Sequence, residues 1–334
     1  MTDSPIFIVG CPRSGTTLLR NLLRSHPNLG FPGESHFIPH FYRACGNPAS
    51  DDEAVELAAR ILRSQWVRHW DLDLAPTSFV SCRTYAEVID RLYSAFSTKQ
   101  NKRRWGDKTP QYVAEIPTLV EIFPRCKIIH IYRDGRDVAL SWTRMVFGPK
   151  NIYMAARYWR EFVKAGHNAA RELAQGTCME VCYEDLLLRT EECMRRICAF
   201  IDEPYCEAVT VPTVTSPAPN KTLTTVDVNK RRPYQFPKIA AENHNKWKEE
   251  MKPAERKLFE AVAGKQLSEL GYETEGTKRH VGALEHASWC TQNAVLYLLH
   301  QINRKNKLKV IHEYMRIRWA DLLSKIRERS MRRT

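Results

Sequence analysis

No apolar run in the 334 residues approaches the ~18–20 that a membrane-spanning helix needs. Met1-Thr2-Asp3-Ser4-Pro5 leads almost directly into a strand-like segment, without a basic stretch followed by an apolar one. No signal peptide is therefore expected, and a cytoplasmic location is. The ten cysteines are scattered, with no Cys-x2-Cys pair at zinc spacing, and read as reduced thiols and packing residues. No acidic constellation suited to a metal is visible, so no metal is expected. Internal repeats and low-complexity tracts are absent too, which argues against a solenoid or a disordered chain.

What is present fits a soluble globular protein, 43% hydrophobic and 27% charged. The net charge of +13 is uneven: residues 275–334 hold 13 Lys/Arg against 5 Asp/Glu, or +8, and the remainder carries +5. Such a surface favours anionic substrates, and no nucleic-acid partner is expected.

The strongest local signal is Ile6-Phe7-Ile8-Val9-Gly10-Cys11-Pro12-Arg13-Ser14-Gly15-Thr16-Thr17-Leu18-Leu19. A buried strand runs into a glycine-bounded loop and then a helix with Leu18, Leu19, Leu22 and Leu23 on one stripe. Converging backbone N–H groups and a helix N-terminus make such a loop an anion cradle. The spacing is nearly that of a nucleotide P-loop, but Thr16 stands where the phosphate-binding lysine belongs. The second strong strand, Cys126 to Tyr132, ends in Arg133 and not in a magnesium-holding acid. A different donor nucleotide is implied.

Further helices are expected over 51–64 (capped by Asp51 or Asp52), 84–97, from Pro110 with Thr109 as its cap, at 135–147, 152–174, 191–200, 239–250 and 253–269. A strand is expected at 179–183. Residues 65–83, rich in Trp, suit a lid or acceptor-side insertion, and 207–237 a loop able to order over a ligand. Strands alternating with helices predict an α/β protein with a parallel sheet covered on both faces. From Ala287 two helices are expected, broken near Lys305-Asn306. The second has a stripe of Leu308, Ile311, Met315, Trp319, Leu322 and Ile326. That stripe packs on the domain or on a second copy, as in a homodimer; alternatively, the basic helix docks on a membrane surface or a partner.

Pro12-Arg13-Ser14-Gly15-Thr16-Thr17 resembles the 5′-phosphosulfate loop of sulfotransferases that use 3′-phosphoadenylyl sulfate (PAPS). The segment Phe7–Pro39 is most similar in wording to the tyrosylprotein-sulfotransferase branch. The likeness continues through Gly33-Glu34-Ser35, Lys108-Thr109-Pro110 and Arg133-Asp134-Gly135-Arg136 to Ser141. It covers the first 145 or so residues well, and the last sixty not at all. The resemblance implies a P-loop NTPase-like three-layer α/β fold over 1–274, with a basic helical extension at 275–334. It implies PAPS as donor, bound by Arg13, Ser14, Gly15, Thr16, Thr17, Arg133, Ser141, Tyr183 and Lys246. Glu34 falls at the general base, with Lys108 and Arg13 as the charges that stabilise the transition state. Arg133 and Ser141 match the pair that holds the 3′-phosphate, while Asp134 and Asp137 read as a cap and an ion-pair partner.

Two departures stand out. Met145 occupies the place of a family arginine, with Arg144 one position early. His36 and His40 stand where relatives that sulfate tyrosine beside acidic residues carry arginines, and neutral imidazoles grip acid weakly. The expected reaction is sulfuryl transfer from PAPS to an acceptor hydroxyl of a peptide tyrosine, a glycan or a small molecule. The rivals are a nucleotide kinase with a degenerate loop and a non-enzymatic phosphonucleotide-binding module. The first needs the missing lysine, and the second has no use for Glu34 and Lys108.

Overall fold

The computed structural model of the protein describes residues 4–212, 242–276 and 279–302. Five parallel strands, β1 (Ile6–Gly10), β2 (Leu29–Gly30), β3 (Arg104–Lys108), β4 (Lys127–Tyr132) and β5 (Cys178–Cys182), form one sheet in the order β2-β3-β1-β4-β5. The helices in chain order begin with α1 (Thr16–Arg24), α2 (Ile38–Cys45), α3 (Asp51–Arg63), α4 (Tyr85–Lys99), α5 (Ile116–Ile122) and α6 (Gly135–Thr143). They continue with α7 (Ile152–Glu172), α8 (Tyr183–Leu188), α9 (Thr190–Phe200), α10 (Trp247–Glu250), α11 (Pro253–Glu269) and α12 (Ala283–Ile302).

The chain divides into two compact units, residues 1–133 with 166–244 and residues 134–165 with 245–334. The first contains the sheet. Alternation along β1 explains its three layers. Ile6 and Ile8 pack with Leu19, Leu22 and Leu23 of α1 and with Met194 and Ile197 of α9. Phe7 faces the other way, its ring 5.8 Å from Trp105 and 5.7 Å from Phe123. Trp105 in turn lies 4.4 Å from Tyr93 of α4. With helices on both faces, β1 and β2 are wholly buried, as strands inside a parallel sheet are, while the edge strand β5 is half-buried except at Val181. This is the expected P-loop NTPase-like α/β architecture.

Several local expectations need correction. Ser50, not Asp51 or Asp52, caps α3 by accepting from Glu53 N, since it is the last residue with extended backbone before the helix and both acids are already helical. Thr109 caps nothing with its side chain, and a 3-10 turn, Pro110–Glu115, follows it; its hydroxyl accepts from Ser35 N at 3.0 Å. The Trp-rich stretch 65–83 is anchored through Trp70, which is buried against Tyr93 (5.0 Å) and Phe96 (5.2 Å). Of the helix expected at 239–250, the described part is Trp247–Glu250, because Asn245 adopts a left-handed φ of 57° that a helix cannot contain.

The second unit is organised by a buried guanidinium. Arg136, 1% exposed, donates to Asp134 Oδ2 (2.8 Å) and Glu260 Oε1 (3.2 Å) and stacks 3.5 Å above Trp247. Asp134 also caps α6 by accepting from Arg136 N, and Asp137 accepts from Trp247 N at 2.8 Å. Asp134 is thus both the cap and the ion-pair partner, and Asp137 anchors a backbone N–H instead. The helical C-terminal region is present as α12, whose Trp289 and Cys290 pack with Tyr153, Met154 and Leu258. The amphipathic stripe from Leu308 to Ile326 lies outside the described residues.

Candidate active site

Open parallel sheets bind ligands beyond the carboxyl ends of their strands, where the strand order reverses. Here that point is beside β1, flanked by β3 and β4. Each strand of the sheet delivers one candidate to this edge: the Gly10–Gly15 loop follows β1, Glu34 follows β2, Lys108 ends β3, Arg133 follows β4 and Tyr183 follows β5.

The loop is built around two glycines. A Cβ on Gly10 would meet Ile131 O at 2.2 Å, and one on Gly15 would meet the Tyr183 ring at 2.2 Å. Gly15 also needs a φ of 92°, and half-buried Arg13 adopts 76°. Gly15 caps α1 without a side-chain hydrogen bond, and no acidic residue follows in the first turn. Ser14 Oγ is fully buried and has no hydrogen-bond partner among the described residues. A positive helix end, an orphan hydroxyl and a glycine cradle fit an oxyanion. Thr16 is buried and Thr17 half-buried; Thr17 Oγ1 accepts from Lys108 Nζ at 3.4 Å.

Lys108 is 3% exposed and its ammonium donates to Glu34 Oε1. Glu34 Oε2 is held by His36 Nε2 at 3.0 Å. The Glu34 side chain is surrounded by protein yet keeps 36% of its surface, as expected on the floor of an open cleft. Burial alone would raise its pKa. The Lys108 and His36 contacts outweigh burial and hold the carboxyl well below the usual carboxylate range. Burial likewise lowers the Lys108 pKa, against the pull of Glu34.

The two segments carrying this pair are tied together. Besides its bond to Thr109, Ser35 shares a 2.8 Å hydrogen bond with Tyr112 OH, which also accepts from Ile38 N at 3.0 Å. Ser35 is completely buried, so base and ammonium are fixed by the same knot.

Arg133, 6% exposed, lies 4.5 Å over the Tyr183 ring and donates to Asn243 O at 2.8 Å. Asn243 Nδ2 donates to Tyr183 OH, also at 2.8 Å. The first unit thus brings together Arg13, Ser14, Gly15, Thr16, Thr17, Glu34 and Lys108, with Arg133 and Tyr183 along the same edge. The remaining candidates lie in the second unit: Ser141 half-buried on α6 and Lys246 exposed just before α10. Arg144 is exposed and paired with Glu250 at 2.7 Å.

Two further side chains neighbour the base. Arg20 of α1 interacts through space with Glu34 and Asp107, and burial and the like charge of Arg24 lower its pKa to about 10. Its place three residues after Thr17 was the available clue. The sequence points to His36 as a contact for an acidic acceptor; its bond to Glu34 depends on a backbone reversal that spacing does not reveal.

A family model described as the sulfotransferase family matches residues 5–207. This chain belongs to the sulfotransferase family. It is 27% identical over 216 residues to a protein-tyrosine sulfotransferase of Drosophila melanogaster, covering 61% of this chain and 39% of that protein. It is 29% identical over 213 residues to a putative protein-tyrosine sulfotransferase of Caenorhabditis briggsae, covering 60% of this chain and 66% of that one. The matched stretch is therefore less than two thirds of these relatives' length. The sulfotransferase domain of the Synechococcus PCC 7002 olefin synthase shares the fold, with a TM-score of 0.55 at 22% identity over 81% of this chain and 96% of that one. The likeness to protein-tyrosine sulfotransferases thus extends well beyond the loop, over about 60% of the chain. Among the described residues no group of three or more His, Cys, Asp or Glu side chains could hold a metal, and no helix is long and apolar enough to cross a membrane.

Proposed function

We propose that this sulfotransferase moves a sulfuryl group from PAPS to an acceptor hydroxyl by in-line displacement, with Glu34 as general base. The observation that carries the proposal is the Glu34–Lys108 pair at the mouth of the glycine loop, with Lys108 Nζ 3.4 Å from Thr17 Oγ1. A module that only binds nucleotide needs no carboxylate beside the anion cradle.

The donor supplies a sulfuryl group on its 5′-phosphate. Ser14, Gly15, Thr16 and Thr17 offer backbone N–H groups and hydroxyls to that phosphate, and Arg13 adds charge to it. Glu34 takes the acceptor's hydroxyl proton as the acceptor oxygen bonds to sulfur and the bridging S–O bond breaks. Lys108 leaves Glu34 to meet the negative charge gathering on the bridging oxygen, which favours the transition state over the ground state. Losing the ammonium raises the proton affinity of Glu34 at the moment it must act as a base. Arg133 and Tyr183 serve the nucleotide's 3′-phosphate and its surroundings, and we assign Ser141 and Lys246 to the same ligand from the family pattern. No metal is required, since Arg13 and Lys108 supply the positive charge.

The acceptor is a peptide tyrosine, a glycan or a small-molecule alcohol. His36 is engaged with Glu34, which disfavours a grip on acidic peptides. A cytoplasmic location is supported by ten cysteines that are all free thiols. In this reading 1–274 is the sulfotransferase domain and 275–334 an extension that packs on it, pairs two copies or docks to a partner or membrane. Sulfur-labelled PAPS incubated with panels of peptides, glycans and phenols tests the reading. Label should appear on one class with wild type and fall ~100- to 1,000-fold with Lys108→Ala or Glu34→Ala. Equal transfer by all three proteins would refute the mechanism.

A further inference from the structure

Both oxygens of Glu34 are engaged, but the two partners differ in what they can do next. Lys108 reaches Glu34 from another strand and already lies beside the anion loop, so it can exchange carboxylate for donor. His36 belongs to the same short segment as Glu34, and that segment is pinned. Ser35 N and Oγ are fastened to Thr109 and Tyr112 on one side of the imidazole. On the other, Ile38 N bonds Tyr112 OH, and Phe37 is buried against Trp70 and Tyr93 at 6.4 Å each.

Between these anchors His36 adopts a φ of 55°, which side-chain-bearing residues rarely take and which persists only where its surroundings enforce it. The reversal sets Nε2 3.0 Å from Glu34 Oε2. An ionised carboxylate can only accept, so Nε2 carries the hydrogen.

We propose that His36 is a positioning residue for the base: its Nε2–H fixes the plane of the Glu34 carboxylate so that Oε1, on losing Lys108 to the donor, faces the acceptor hydroxyl. The inference deepens the sulfuryl-transfer reading and rests on it for the identity of the base. The charged groups around this contact are Glu34 itself, Lys108 and Asp107 of β3, and Arg20 of α1; Asp107 and His36 interact through space. With Lys108 gone to the donor, His36 is the side chain that still holds Glu34 among the described residues.

The test uses the full chain with carboxyl-13C glutamate, the Glu34 resonance being identified by its loss in Glu34→Gln. His36→Gln puts an amide N–H near the Nε2 position. His36→Asn suits the left-handed backbone and stops short of Glu34, which guards against a variant that merely fails to fold. The Glu34 titration midpoint should rise by about one pH unit or more in His36→Asn and stay near wild type in His36→Gln. In the labelled-PAPS assay, His36→Asn should lower kcat by about tenfold, leave KM for PAPS unchanged and move the acid limb of kcat/KM upward. His36→Gln should restore both. An unmoved Glu34 midpoint in His36→Asn, or a Gln variant that behaves like Asn, would overturn the proposal. The carboxyl titration needs no substrate, so a wild type that transfers no sulfuryl group would refute the functional reading alone.

Discussion

Gly15→Ala tests whether the loop has the geometry on which donor binding depends. Two costs come from separate features of the position. At a φ of 92° an alanine meets the left-handed penalty of about 1–2 kcal/mol. Its Cβ would also lie 2.2 and 2.5 Å from Tyr183 Cδ2 and Cε2. That ring cannot swing aside cheaply: it is 4% exposed, lies under Arg133, and its hydroxyl accepts from Asn243. Overpacking of this kind costs about 1–3 kcal/mol, so the variant should lose about 2–5 kcal/mol by urea denaturation. A double-mutant cycle with Tyr183→Leu separates the two. The overlap vanishes with the ring, so the double variant should be less destabilised than the sum of the singles by about 1–3 kcal/mol. The backbone strain should remain. Additive losses, or an alanine variant as stable as wild type, would refute the loop geometry.

Arg136→Met should cost about 3–5 kcal/mol in chemical denaturation, because it strands Asp134 and Glu260 in a buried site; a loss below ~1 kcal/mol would contradict the network. Burial raises the Glu180 pKa, but hydrogen bonds from His130 (3.1 Å) and His167 (3.0 Å) outweigh it and hold the carboxyl low. A depressed carboxylate stabilises the fold above its ordinary value of about 4.5 and loses that contribution as pH falls through the depressed one. Glu180→Gln should therefore flatten the acid-side fall in thermal stability, and an unchanged slope would count against the pairing.

The opening strand, loop and α1 were legible because an apolar run bounded by glycine has few other uses. β3 was not. Arg104-Trp105-Gly106-Asp107-Lys108 has one large apolar residue and no alternation. Its polar groups are tolerated in the interior because α4 supplies partners: Asp90 accepts from Trp105 Nε1 and Tyr93 OH donates to Asp107, both at 2.8 Å. Those contacts are tertiary, and no local pattern announces them. α2 is only eight residues long and carries Pro39 in its first turn, where proline is at home, so its apolar pattern is too short to announce a helix. Glu34 itself was indicated by resemblance, since a carboxylate after a glycine turn is ordinarily a solvated or capping group. Its engagement by Lys108 and His36 required the sheet order and the reversal at residue 36.

The most direct measurement is a crystal structure of the protein with adenosine 3′,5′-bisphosphate, the product of the proposed transfer. The 5′-phosphate should rest on the backbone N–H groups of Ser14, Gly15, Thr16 and Thr17, with Lys108 Nζ moved from Glu34 to a phosphate oxygen and Glu34 open to the cleft. A nucleotide bound away from that loop, or a Lys108 still locked to Glu34 beside a seated phosphate, would contradict the account.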